Sequence, residues 1–178
     1  MEELGRMSVE EVKQAEKTPV IVVLEHIRSA YNIGSVFRTS DAFLIEAIYI
    51  IGYSATPPHQ EIKKSALGAE ESVAGKQCAT SAEAITVLRD MQYKVYAIEQ
   101  AVDSIHLQNF DQKENIALIF GNEVSGVEQD TIGLCDGCVE IPQLGMKHSL
   151  NIATAAGVVL WELVRQRMPL SPKGELRP

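Results

Sequence analysis

Hydrophobic positions fall along this chain in short unbroken runs separated by longer segments of mixed polarity. Val20 to Leu24 (VIVVL), Glu46 to Ile51 (EAIYII), Lys94 to Glu99 (KVYAIE) and Ile116 to Phe120 (IALIF) are such runs. Val20 to Leu24 is continuously apolar and mostly β-branched, and the others are predominantly apolar, as expected for strands covered on both faces of a parallel sheet. Ser72 to Cys78 reads as a further strand. Val139 to Ile141 reads as another, stopped by Pro142, which has no amide to give to a sheet ladder.

Between these runs the spacing becomes helical. Ser8 with Glu11 makes a capping-box pattern ahead of a short helix from Val9 to Lys17, ended by Thr18-Pro19. A loop from Glu25 to Tyr31 leads to Asn32, placed as the N-cap of a helix that runs through Phe43, with Ile33, Val36, Phe37 and Leu44 as its apolar stripe. Asn32, Ser35 and Arg38 recur every third position and share one face. Such a face is either solvated surface or an amide and a guanidinium aimed at a phosphate or ribose. Ser81 to Met91 predicts a helix with Ala84, Leu88 and Met91 turned inward, and Gln129 to Cys135 a shorter one. Tyr53 to Ser72, holding His59, Lys63 and Lys64, reads as a surface loop, and Ala101 to Glu114 as a polar connection.

From Leu150 to Val164 the chain is apolar on nearly every helical face, and Ser149 stands where an N-cap belongs. A helix of that kind must be buried in the core or against another subunit. Broken by Asn151, Thr154 and Glu162, it is too short and too polar to span a bilayer, which takes about 20 residues. The alternation of strands and helices predicts an α/β fold, a mostly parallel sheet flanked by helices. With no repeat and no dividing linker, residues 1–178 are expected to form one domain, with 1–18 a helical extension and 168–178 a loose, proline-rich tail.

Composition narrows the chemistry. The hydrophobic share of 46% and charged share of 22% suit a soluble globular chain. A net charge of −8 speaks against a general nucleic-acid coat protein and leaves room only for a local basic patch. Cys78, Cys135 and Cys138 are few and odd in number, which points to a reducing, cytoplasmic setting rather than a disulfide framework. Cys135 and Cys138 form a lone C-x-x-C without a second pair at metal spacing, so no metal is expected. The first residues lack the apolar core of an export signal. Gly68 to Lys76 fails as a phosphate loop, because six residues separate Gly68 from Gly75 and Gln77 stands where Ser or Thr must follow. Ligands of open α/β sheets sit beyond the carboxyl ends of the strands. Three such ends carry polar or glycine-rich loops here: after Leu24, after Phe120 (GNEVSG) and after Ile141.

Three segments, NIGSVFRTSDAF from Asn32, ALIFGNEVSGV from Ala117 and VEIPQLGMKHSLNIATAA from Val139, together resemble the SpoU (TrmH-like) family of SPOUT RNA methyltransferases. They occur in the family's order, and the likeness runs from about Thr18 to Arg167. Gln143-Leu144 and Ile152-Ala153-Thr154 depart from the usual residues, and no accessory RNA-binding domain is expected ahead of the catalytic unit. The resemblance implies transfer of a methyl group from S-adenosylmethionine to a ribose 2′-oxygen of tRNA or rRNA. It implies a C-terminal deep trefoil knot and a homodimer packed on the last helix. Carried over by position, the cofactor loops are Ala97, Ile98 and Glu99, then Gly121 and Asn122, then Ile141, and the segment from Met146 through Ser149 to Leu150.

The resemblance further implies that Arg38 is the catalytic arginine, that Asn32 and Ser149 position ribose or phosphate, that Asn151 holds the polar network, and that Glu123 orients Arg38 or Asn32. His26 and His148 flank the same mouths as loop hydrogen-bonders rather than bases. Arg28, Lys63, Lys64 and Lys147 are the cations expected to hold RNA, with tRNA, at a guanosine, favoured over rRNA. Two other classes stay open: an α/β nucleotide-dependent enzyme of different chemistry, against which the missing phosphate and dinucleotide fingerprints count, and a catalytically silent RNA-binding relative, against which intact Asn32, Arg38, Glu123, Ser149 and Asn151 count.

Overall fold

The computed structural model describes residues 7–146 and 149–168. Lys147, His148, the start of the N-terminal extension and the tail beyond Met168 lie outside the described residues. In chain order the elements are α1 (Val9–Gln14), β1 (Thr18–Glu25), α2 (Ala30–Ala42), β2 (Ile45–Ile51), α3 (Gln60–Ala66), α4 (Ala69–Ser72), β3 (Ala74–Cys78), α5 (Ser81–Asp90), β4 (Lys94–Ile98), β5 (Ile105–His106), β6 (Ile116–Phe120), α6 (Gln129–Leu134), β7 (Gly137–Glu140) and α7 (Ile152–Arg167).

The strands make one sheet in the order β3-β2-β1-β6-β4-β7-β5, and every pairing is parallel. Val20, Val22 and Leu24 point to one face with Ile116, Leu118 and Phe120, while Ile21 and Val23 point to the other with Ala117 and Ile119. That two-residue alternation explains why these runs are apolar without a break: both faces are covered. One face packs on α2, α3, α4 and α7, the other on α5 and α6.

Several expected boundaries move. The helix after β1 begins at Ala30, and its N-cap is Ser29, whose Oγ accepts the Asn32 amide at 3.2 Å; Asn32 therefore lies inside the first turn. Phe43 is the C-cap, and Leu44 lies beyond the helix with φ of 52°. The segment expected as a loop after Tyr53 folds into α3 and α4, because Ile62, Ala66 and Ala69 recur at helical spacing and are buried against α2. Gly34 makes this close approach possible: a Cβ there would lie 2.1 Å from Ser65 Oγ and 2.4 Å from the Ile62 carbonyl. Within the polar stretch after Ala101, β5 adds to the sheet edge and Phe110 is buried against the Tyr96 ring. Met91, expected inside, is exposed just past the end of α5. The capping box of α1 is present in both directions, but the helix stops at Gln14.

The last helix is not enclosed on all sides by the rest of the chain. Ile152, Ala156, Val159, Leu160, Leu163 and Val164 enter the core, each large apolar side chain contributing roughly 1.5–3 kcal/mol by transfer. Val158 and Trp161 remain 40% and 49% exposed on the opposite side.

Candidate active site

The carboxyl ends of β4, β6 and β7 surround a cavity of about 420 Å³, walled among others by Ile98, Glu99, Gly121, Asn122, Ile141 and Leu150. Its volume falls in the roughly 300–1,000 Å³ range of small-molecule sites. The β6 wall folds back on itself: the Asn122 amide donates to the Gly126 carbonyl at 3.0 Å and the Gly126 amide returns to the Asn122 carbonyl at 2.9 Å. Glycine is required at 121, since a Cβ would stand 2.2 Å from both Gly126 C and Val127 N.

Two side chains are spent on building this wall. Asn122 Oδ1 accepts the amides of Val124 and Ser125 at 2.8 and 3.1 Å, and its Nδ2 donates to the His26 carbonyl and the Tyr53 hydroxyl, both at 2.8 Å. Glu99 Oε2 accepts the Val127 amide at 3.1 Å and Oε1 the Gln100 amide at 2.9 Å. With these polar side chains satisfied within the protein, the wall combines apolar side chains such as Ile98, Phe120, Ile141 and Leu150 with polar ones such as Gln129, Glu140 and Gln143.

At the mouth, Glu123 accepts from the Arg28 amide at 3.0 Å, the Ser29 amide at 3.2 Å and Asn32 Nδ2 at 3.2 Å. Burial pushes the Glu123 carboxyl up, but these hydrogen bonds outweigh it and hold the group below the usual carboxylate range. The carboxylate thus caps the amino end of α2, where free amides favour negative charge. Asn32 Oδ1 accepts from Asn151 Nδ2 at 3.2 Å, and Asn151 Oδ1 accepts the amides of Ala153 and Thr154 at 2.9 and 3.4 Å. Asn151, not Ser149, is therefore the N-cap of α7. The chain Glu123–Asn32–Asn151 ties the end of β6 to the first turns of α2 and α7.

Ile98, Glu99, Gly121, Asn122, Ile141, Ser149 and Leu150 all border the cavity, as does Glu123. Ala97 is fully buried in β4, and Met146 is exposed and not part of the wall. Arg38 lies on the exposed side of α2, outside the wall, with no hydrogen bond to a described residue. Arg28 is exposed on the loop after β1, and Lys63 and Lys64 on the last turn of α3. Lys63 also borders a second hollow of about 460 Å³ that contains Glu70 and Glu71 as well. His26 is held in the loop, its Nε2 3.5 Å from Glu128 and its ring 4.9 Å from that of Tyr53.

Two features escaped the sequence reading. Glu25, at the end of β1, is fully buried and accepts from Ser81 Oγ, from Thr131 Oγ1 at 2.5 Å and from the Glu128 amide at 2.9 Å. An acidic residue closing an otherwise apolar run was the one available signal. Tyr53 offered none. The C-x-x-C thiols are poor nucleophiles: burial, with Cys138 and Asp136 nearby, drives Cys135 up to about 12, and burial also raises Cys138. Cys135 Sγ donates to the Thr131 carbonyl at 3.2 Å.

This geometry has close relatives. The chain is 31% identical over 167 residues to the tRNA (guanosine(18)-2′-O)-methyltransferase of Thermus thermophilus, covering 93% of this chain and 84% of the relative. It is 32% identical over 152 residues to the 23S rRNA (guanosine-2′-O-)-methyltransferase RlmB of Photorhabdus laumondii, covering 85% of this chain and 62% of that one. Among solved structures, the SpoU methyltransferase AviRb of Streptomyces viridochromogenes, in complex with the cofactor AdoMet, superposes with a TM-score of 0.78 at 26% identity, covering 86% of this chain and 59% of AviRb. The A. aeolicus TrmH/SpoU tRNA modifying enzyme shares the fold at a TM-score of 0.79 and 23% identity, covering 89% of this chain and 80% of its own. The sequence profile of the SpoU rRNA Methylase family matches residues 19–161, and this chain belongs to that family.

Proposed function

We propose that this protein methylates a ribose 2′-oxygen of RNA with S-adenosylmethionine as donor, acting on tRNA in preference to rRNA and at a guanosine. The observation that carries this is the junction of the roughly 420 Å³ cavity with the Glu123–Asn32–Asn151 chain at its mouth. The relatives named for guanosine 2′-O-methylation support the reaction, and of the two cited above this chain spans 84% of the tRNA enzyme and 62% of the rRNA enzyme.

The donor, bound in the cavity, supplies an electrophilic methyl on a sulfonium. Everything else falls to this chain's residues. Backbone groups of Ile98, Gly121, Ile141 and Leu150 hold the donor. Asn32 and Ser149 hold the ribose and its phosphate so that the 2′-oxygen lies in line with the methyl, and Asn151 fixes Asn32. A guanidinium does not give up its proton at neutral pH, so Arg38 acts by stabilising the developing alkoxide, with the proton leaving through a phosphate or water.

Arg38 lies outside the wall of its own cavity, and we place it at the cavity of a second copy, as the likeness to the family implies. The exposed Val158 and Trp161 on α7 provide the face for that homodimer. β6 and β7 each lie between strands that precede them in the chain, an order compatible with threading of the C-terminal part into a trefoil knot. No described helix is long and apolar enough to cross a membrane, and an RNA substrate places the work in the cytoplasm.

The test is transfer of labelled methyl from S-adenosylmethionine to bulk tRNA and bulk rRNA, at two salt concentrations. We expect a preference for tRNA, steep weakening with salt, and weaker RNA binding when Lys63 and Lys64 are both changed to Ala. Arg38→Ala should lower kcat roughly 10²–10³-fold with cofactor affinity kept. Turnover near wild type in that variant would refute the role of Arg38, and no transfer to either RNA would refute the function.

A further inference from the structure

Beside the reaction site stands an aromatic ring that the mechanism does not use. Tyr53 follows β2 and is 64% exposed, yet it is fixed in place. Its hydroxyl accepts from Asn122 Nδ2 at 2.8 Å, one residue before Glu123. The His26 ring lies against one face, centroids 4.9 Å apart and planes tilted by 31°. Gly52 leaves room for that imidazole, since a Cβ there would sit 2.0 Å from His26 Cε1. Ser54, buried, donates to the Ile51 carbonyl at 2.9 Å and accepts the Ile27 amide at 2.7 Å, locking the Tyr53 loop to the loop after β1.

A ring held at its hydroxyl and on one face, with the rest open to water, has lost rotamer freedom in advance of any binding. Tyr53 is not part of the cavity wall, so it is not placed to cover the donor. It lies on the β2 side of β1, and Arg28, which follows the Ile27 amide held by Ser54, is exposed on the neighbouring loop. An open aromatic face with an exposed cation on the neighbouring loop suits a base with its phosphate.

We propose that Tyr53 is a stacking platform for an unpaired nucleobase of the RNA substrate, the target base or its neighbour, which aligns the adjoining ribose over the Asn32–Glu123 pair. This rests on the RNA-methylating function proposed above. Base–aromatic stacking needs only a π face, so it tolerates any base and requires that the nucleotide be unstacked from its own helix.

The experiment compares wild-type protein with Tyr53→Ala, Tyr53→Phe and Tyr53→Trp, measuring binding of bulk tRNA and of bulk rRNA by filter retention, binding of S-adenosylhomocysteine by calorimetry, and methyl transfer. Tyr53→Ala should raise the RNA dissociation constant roughly 5- to 150-fold. It should leave S-adenosylhomocysteine affinity unchanged, while Phe and Trp restore RNA binding. The fluorescence added in Tyr53→Trp should be quenched by RNA and not by S-adenosylhomocysteine. If wild-type protein methylates RNA and Tyr53→Ala binds RNA equally well, the platform is refuted and the function stands. Loss of S-adenosylhomocysteine affinity in Tyr53→Ala, or failure of Phe and Trp to rescue, would refute it too, because Tyr53 would then be a prop for Asn122. If wild-type protein binds RNA in a Tyr53-dependent way without methylating it, the platform survives and the reaction falls.

Discussion

Replacing Glu25 tests how the site is held from behind. Glu25→Ala strips the acceptor from the Ser81 and Thr131 hydroxyls and from the Glu128 amide, in a position with no exposure to solvent. Each buried donor left unsatisfied costs about 1–3 kcal/mol. Two reliefs reduce the sum. The hydroxyls can rotate towards carbonyls of their own helices, and the carboxylate's own desolvation cost disappears with it. The net loss should be about 2–4 kcal/mol, a large part of the stability of an ordinary domain. At about 2–4 °C per kcal/mol for a chain of this size, the melting temperature should fall by roughly 5–15 °C. Glu25→Gln keeps the shape and one acceptor oxygen and should lose less than half as much. Glu128 and Thr131 anchor α6 directly behind the cavity wall, so S-adenosylhomocysteine should also bind more weakly to Glu25→Ala. Thermal and urea unfolding followed by circular dichroism give the numbers. A melting temperature within about 2 °C of wild type for Glu25→Ala would show that these three bonds do not hold β1 to α5 and α6.

Two further outcomes follow from the structure. Val158→Asp and Trp161→Asp should convert a dimer to folded monomers in sedimentation, whereas Val159→Asp, buried in the protomer core, should unfold the chain; a wild-type monomer at micromolar concentration would refute the α7 interface. Glu123 has its pKa lowered in the folded protein, so its contribution is present above the unfolded value of about 4.3 and is lost only as pH falls through the lower folded value. S-adenosylhomocysteine binding to wild-type protein should therefore show no acid limb from this group above about pH 5, and calorimetry across that range checks it.

Much of this molecule is legible in its local sequence, because some physical preferences act over a few residues. Val20–Leu24 and Ile116–Phe120 read as strands covered on both faces, and their alternation with helical segments predicts the parallel sheet that is found. The Ser8–Glu11 capping box is equally local and is present as expected. The three motif segments mark the loops that meet at the site, and most residues carried over to the cofactor do border one cavity.

What failed locally failed because a residue's role was set by partners distant in sequence. Asn32 and Ser29 are both good caps, and so are Ser149 and Asn151; which one caps depends on where the helix is pinned. Glu123 draws the Arg28 and Ser29 amides to itself and so starts α2 early, while Asn151 is held by Asn32, 119 residues away in sequence. The loop after Tyr53 becomes helical only because Gly34 lets α3 lie against α2. Glu25 and Tyr53 look unremarkable in the chain, and their meaning comes from Thr131 and Asn122, brought beside them by parallel pairing of β1 with β2 and β6. Periodicity decides which residues are buried, since burial of a face is a property of one element. The identity of the neighbour that satisfies a buried carboxylate, or pins an exposed ring, is decided by strand order, which no single segment of this chain contains.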